Sequence, residues 1–273
     1  MSQAPSLSGA HAALLAGEPI QAGAVIRTSD VDYDLDGTAL RGYLAVDAAS
    51  TDRRPGVLVI HDWAGVGEYV QVRAQMLARL GYLALAADIY GADVRPAPQD
   101  APRVAGGYYR DPALVRARAA AGLAELRAHP LVDPARIAVI GYCFGGFVAL
   151  ELARSGADLV GAVTFHGALS TSAPHDAANI RAKVLVLTGA SDPVVDDDQV
   201  RAFENAMRAA PHVDWQLVSY SGAVHSFSQP EADAPDHGAA YQAVADRRSW
   251  AAMRAFFGEI FAADPPAGNS SGP

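Results

Sequence analysis

Gly141-Tyr142-Cys143-Phe144-Gly145-Gly146 stands between two runs of different character. Arg136–Ile140 before it is short and apolar, the pattern of a buried strand, and Phe144–Arg154 after it reads as a helix. A strand that reverses this sharply into a helix needs small residues at 141 and 145, where side chains would collide. The turn holds its central residue above the sheet, in the manner of a nucleophile elbow. It also sets Cys143 at a helix N-terminus, whose positive end favours a thiolate. Two other readings exist: an inert buried cysteine, and a phosphate cradle. The segment lacks the Walker lysine and the G-x-G-x-x-G spacing that a cradle would carry.

Working outward, strands and helices alternate. Val31–Leu35 and Thr38–Val46 flank Asp36-Gly37, a pair suited to a tight hairpin turn. Gly56–Ile60 is a strand buried on both faces, followed by a polar loop, His61–Gly67, and a helix from about Tyr69 to Leu80, closed by Gly81. Tyr82–Ala87 is the next strand. Gly91–Tyr109, rich in Pro and Gly, reads as a loop, and Asp111-Pro112 opens a helix running to about Ala128. Asp133-Pro134 is a turn. Leu159–Phe165, Lys183–Thr188 and Trp215–Tyr220 are strands, Asp196–Ala209 is a helix, and a last helix spans about Ala239 to Phe261. Antiparallel strands followed by strand–helix alternation imply an α/β domain with a mostly parallel central sheet and helices on both faces. The expected division is an N-terminal extension over 1–24, one domain over 25–262 and a disordered tail over 263–273, rich in Pro, Gly and Ser.

Composition narrows the function. The chain has 273 residues, suited to one large α/β domain, and 51% of them are hydrophobic, enough for a full core. A formal net charge of -9 argues against nucleic acid or an anionic membrane as partner. The single cysteine excludes an intrachain disulfide. Residues 1–20 show neither a basic region nor a continuous apolar run, so a cytoplasmic protein is expected. No clustered Cys/His set or His-Glu-x-x-His suggests a metal, and no cofactor is expected.

A nucleophile at an elbow calls for an acid and then a base farther along the chain. Gly189-Ala190-Ser191-Asp192-Pro193 follows a strand, and Gly222-Ala223-Val224-His225-Ser226-Phe227 follows the last one. Asp192 and His225 are therefore the candidate acid and base, with a turn role as the alternative for Asp192. Of the other histidines, His61 and His166 end strands and could line the same cleft, with packing the favoured reading. His129, His212 and His237 read as surface or turn residues, His175 lies in a polar loop, and His11 lies in the weakly ordered N-terminal region.

Taken together, His61-Asp62-Trp63-Ala64-Gly65, Gly141–Gly146, Gly189–Val195 and Gly222–Phe227 resemble the dienelactone hydrolase family, over about residues 25 to 262. The resemblance implies an α/β-hydrolase fold with Cys143 as nucleophile, His225 as base and Asp192 as its orienting acid. It also implies an oxyanion hole from the backbone N–H groups of Phe144 and Trp63. Asp62 stands where the family often has a glutamate poised near the resting thiol, which makes it an auxiliary acid. Gln229 stands where dienelactone hydrolases carry a carboxylate-binding arginine. A neutral amide cannot replace a guanidinium fork. Arg103 or Arg110 could supply a cation. His166, Phe227, Tyr108, Tyr109 and Trp63 are candidate pocket residues.

The expected chemistry is hydrolysis of a small ester or lactone through a thioacyl intermediate, by a monomer or homodimer. The alternatives are a promiscuous carboxylesterase without lactone preference, or a non-catalytic binding or redox-sensing protein built on a reactive cysteine. An oriented acid and base at the strand ends favour catalysis over sensing.

Overall fold

The computed structural model describes residues 7–262. The expected disordered tail, 263–273, lies outside the described residues. Eight strands form one sheet: β1 (Ile26–Leu35), β2 (Thr38–Asp47), β3 (Arg54–Ile60), β4 (Leu83–Ala87), β5 (Val132–Tyr142), β6 (Gly161–Phe165), β7 (Lys183–Gly189) and β8 (Trp215–Tyr220). Their order is β1-β2-β4-β3-β5-β6-β7-β8. β1–β2 and β2–β4 pair antiparallel, and every later pairing is parallel. The hairpin forms at Asp36-Gly37, both at positive φ, and Gly37 N–H donates to Asp34 Oδ1 at 2.9 Å. Asp133-Pro134 is absorbed as an irregularity, because the β3–β5 register jumps from Asp133 to Ile137 between Pro55 and Gly56.

The helices are α1 (Gly9–Ala16), α2 (Glu68–Arg79), α3 (Ala101–Tyr109), α4 (Pro112–Ala128), α5 (Phe144–Arg154), α6 (Asp197–Arg208) and α7 (Ala243–Ile260). Strands β3, β4, β6 and β7 are apolar and almost wholly buried, because helices cover both faces of the sheet. Val115, Ala119, Leu123 and Leu126 carry α4 onto one face, beside α5 and α6. Val70, Ala74, Leu77, Met253 and Phe257 carry α2 and α7 onto the other. Asp111 caps α4 through Leu114 N–H at 3.0 Å, with Pro112 at its first position. No helix of the described residues is long and apolar enough to cross a membrane.

Three sequence expectations change. The Gly91–Tyr109 stretch holds a helix, α3, where a loop was expected. Ala101 and Ala105 are one turn apart and both buried, so packing overrides the poor helix propensity of Pro102, Gly106 and Gly107. The last helix starts at Ala243, and Ala239–Ala240 instead pairs with Asp233–Ala234 as β10 and β9. His11 does not lie in a loose segment. It is 3% exposed on α1, which Ser8 caps and which packs against α2.

Candidate active site

Every parallel strand from β3 to β8 except β4 ends in a residue of interest on one edge of the sheet. Asp62 follows β3, Cys143 follows β5, His166 follows β6, Asp192 follows β7 and His225 follows β8. That edge, at the carboxyl ends of the strands, is where open α/β sheets bind ligands.

The elbow forms because two glycines permit it. A Cβ at Gly141 would lie 1.9 Å from Gly145 O, and one at Gly145 would lie 2.3 Å from Ile60 O and 2.5 Å from His61 O. Cys143 takes the strained backbone that results, with φ 53 and ψ -116. Such a conformation costs a non-glycine residue ~1–3 kcal/mol and persists only where surrounding packing enforces it. Tyr142 and Phe144 on either side are fully buried and supply that packing.

Cys143 Sγ lies 3.0 Å from His225 Nε2, and His225 Nδ1 lies 3.0 Å from Asp192 Oδ2. The other Asp192 oxygen, Oδ1, accepts the N–H groups of Val194 and Val195 at 2.8 and 3.1 Å. The carboxylate therefore cannot turn away from the ring without losing two bonds. His225 is pinned through its backbone. Its N–H donates to Gly238 O and its carbonyl accepts from Ala240 N–H, so the 238–240 segment locks the loop after β8. Burial opposes a charge on His225, but the Cys143 sulfur and the Asp192 bond outweigh it and push the imidazole up to about 10. The three side chains singled out from sequence thus form one connected array.

The remaining candidates divide. Phe144 is the first residue of α5, so its N–H has no carbonyl one turn earlier to bond, and Trp63, 44% exposed, sits in the loop after β3. Asp62 is buried, and its oxygens accept from Ala64 N–H at 2.8 Å and Gln229 Nε2 at 3.2 Å. Burial pushes its carboxyl up, against those two hydrogen bonds. His166 is buried edge-on to the His225 ring, with centroids 5.4 Å apart, and Phe227, also buried, packs on the His166 ring at 5.0 Å. Tyr108 donates to Tyr90 O, and Tyr109 packs on Phe144 and Phe147. Arg103 is 79% exposed and pairs with Asp100, so it is a solvent-facing residue of α3. Arg110 caps the end of α3 and is also exposed. His61 accepts from Ile89 N–H at Nε2 and donates to Asp62 O at Nδ1, a neutral packing histidine. Among the described residues no group of three or more His, Cys, Asp or Glu could hold a metal.

A buried array beneath the site had no signature in sequence. Arg73 of α2 pairs with Asp246 of α7 and donates to Ser228 O. Ser228 Oγ meets Tyr69 OH at 2.8 Å and His166 Nε2 at 2.7 Å. Burial, helped by the charges of His225 and Arg73, drives His166 well below its ordinary value, so the ring stays neutral beside His225.

The dienelactone hydrolase family model matches residues 40–261. The chain belongs to the dienelactone hydrolase family. A solved relative of this hydrolase family is a dienelactone hydrolase-like promiscuous phosphotriesterase from metagenomic libraries. It is 41% identical with a TM-score of 0.82, and the alignment covers 86% of this chain and 99% of that one. A Bradyrhizobium protein described as a probable 2-oxo-3-(5-oxofuran-2-ylidene)propanoate lactonase is 28% identical over 81% of this chain and 89% of its own. Protein usf of Aquifex pyrophilus is 28% identical over 72% of this chain and 85% of its own. The mostly parallel sheet flanked by helices is the α/β-hydrolase fold expected for the family.

Proposed function

We propose that this dienelactone hydrolase family member cleaves small esters or lactones with Cys143 as nucleophile, His225 as base and acid, and Asp192 as the group that orients the imidazole. The observation that carries the reading is the pair of 3.0 Å contacts joining Sγ to Nε2 and Nδ1 to Oδ2. His225 Nε2 takes the thiol proton, and Asp192 supports the resulting imidazolium. The thiolate attacks the carbonyl carbon, and the carbonyl π electrons move to oxygen. The N–H groups of Phe144 and Trp63 are the oxyanion donors in this reading, each such donor typically being worth ~3 kcal/mol of barrier. The carbonyl re-forms as the C–O bond breaks, and His225 returns its proton to the leaving oxygen. In a lactone that oxygen stays tethered to the acyl group. Water, deprotonated by His225, then attacks the thioester and releases the acid and the thiol.

A thiolate also leaves readily, so substrates with good leaving groups suit it: enol lactones, enol esters, aryl esters and thioesters. Gln229 in place of the arginine implied by the family resemblance supports an uncharged substrate over one anchored by its own carboxylate. The test compares wild type, Cys143→Ala and His225→Ala on p-nitrophenyl acetate, with folding checked by circular dichroism. Turnover by wild type and near-complete loss in both variants is expected. Full activity in Cys143→Ala would sink the proposal. The phosphotriesterase description of the 41% identical relative supports a second substrate class, neutral phosphate triesters. Paraoxon belongs in the same assay.

A further inference from the structure

His11 occupies a position that the chemistry above does not use. It comes from α1, is 3% exposed, and both its ring nitrogens are engaged. Nδ1 lies 2.9 Å from Glu68 Oε1 on α2, and Nε2 lies 3.2 Å from Gln229 Oε1. A carboxylate oxygen and an amide oxygen can only accept, so with the Gln229 amide in this orientation both ring nitrogens donate, the arrangement of a protonated ring. The Gln229 amide then has its oxygen turned to His11 and its nitrogen turned to Asp62 Oδ2, at 3.2 Å. Ala64 N–H holds the second Asp62 oxygen. The run Glu68–His11–Gln229–Asp62 is therefore polarised in one direction, from a cation on the N-terminal helix to an acid at the mouth of the site.

We propose that His11 is a positioning residue for the Cys143 site: its charged ring fixes the Gln229 amide so that Asp62 is held as a carboxylate. If the ring loses the Nε2 proton, the amide must either lose a bond or rotate. Rotation presents Gln229 Oε1 to Asp62, which can then bond it only as a protonated acid. The other groups facing His11 are Glu231, 3.9 Å from Nδ1, and the Tyr69 ring at 5.9 Å. Asp62 faces Gln229, Ala64 N–H and, in chain, His61. Ile60 of β3 lies opposite Gly141 of the neighbouring parallel strand β5, so Asp62 and Cys143, each two residues farther on, leave the sheet side by side at the same edge. His11 in turn lowers the Asp62 carboxyl against the upward push of burial.

The inference rests on Cys143 as the reactive group, and its test does not require turnover. Cys143 is the single cysteine of the chain, so alkylation by iodoacetamide reports that sulfur alone. The pH profile of alkylation is measured for wild type, Asp62→Asn, His11→Phe and the double variant. Asp62→Asn removes an anion from the sulfur's surroundings and is expected to move the profile to lower pH. His11→Phe is expected to move it the same way, and to add nothing in the Asp62→Asn background. Gln229→Leu breaks the run at its centre with α1 intact and is expected to match His11→Phe, which guards against a folding defect in α1. A shift to higher pH in His11→Phe, the sign for simple loss of a nearby cation, overturns the proposal. So does an unmoved profile, or an equal shift in both backgrounds. Absence of ester hydrolysis with these shifts present would count against the hydrolase reading alone.

Discussion

Cys143 Sγ and His225 Nε2 lie 3.0 Å apart, so the sulfur is among the groups that act directly on the imidazole. His225 is raised from 6.5 to about 10 in the fold. A raised imidazole stabilises the native state fully below its unfolded value, and that contribution is lost as pH climbs through the folded value. The stability gap between wild type and His225→Gln, from urea unfolding, should therefore shrink between pH 6.5 and pH 10. A gap that widens over that window would contradict the pairing.

Asp192 is held at both oxygens, by His225 on one side and by Val194 and Val195 on the other. Asn in its place keeps the shape and removes the charge that supports an imidazolium. We expect kcat on p-nitrophenyl acetate to fall roughly 10²–10⁴-fold. The basic limb of the pH–rate profile should move to lower pH, since the Asp192 bond is one of the forces raising His225. Loss of rate without that movement would assign Asp192 to loop structure alone.

Gly145 leaves no room for a methyl group, with Ile60 O 2.3 Å from the site of its Cβ. The obstacle is backbone of β3, which cannot swing aside. Gly145→Ala should lose about 1–3 kcal/mol of stability in guanidinium unfolding, with activity falling further as the elbow is pushed from its geometry. Wild-type stability in this variant would mean that the turn has slack.

Arg73 and Asp246 form an ion pair between α2 and α7, with side chains 1% and 6% exposed. Removing one partner strands a charge away from water. Asp246→Ala should cost roughly 3–5 kcal/mol, far more than an exposed pair such as Arg41–Asp32. A double change, Arg73→Met with Asp246→Leu, is expected to recover much of that loss. Equal losses for the buried and the exposed pair would refute the assignment.

The legible parts of this molecule were those written in neighbouring residues. Asp36-Gly37 declared its hairpin, Asp111-Pro112 declared a helix start, and the glycines around Cys143 declared the elbow. Asp192 and His225 could be placed because strand ends must share an edge. What was missed depends on distant pairing. Gln229 meets His11 across a separation of 218 residues, and Asp246 meets Arg73 across 173. Neither pairing leaves a local pattern. The helix α3 was hidden for a related reason: its glycines and proline speak for a loop, and burial of Ala101 and Ala105 decides otherwise.

His225 stands 82 positions after Cys143, the residue its ring contacts. During synthesis Cys143 therefore leaves the ribosome well before His225 exists, and at that moment it is an ordinary thiol on an unfinished sheet. β7 and β8 must still be laid beside β6 before Asp192 and His225 reach it. On the proposed mechanism, chemical potency is thereby withheld from an incomplete copy of the chain until the far edge of the sheet has closed.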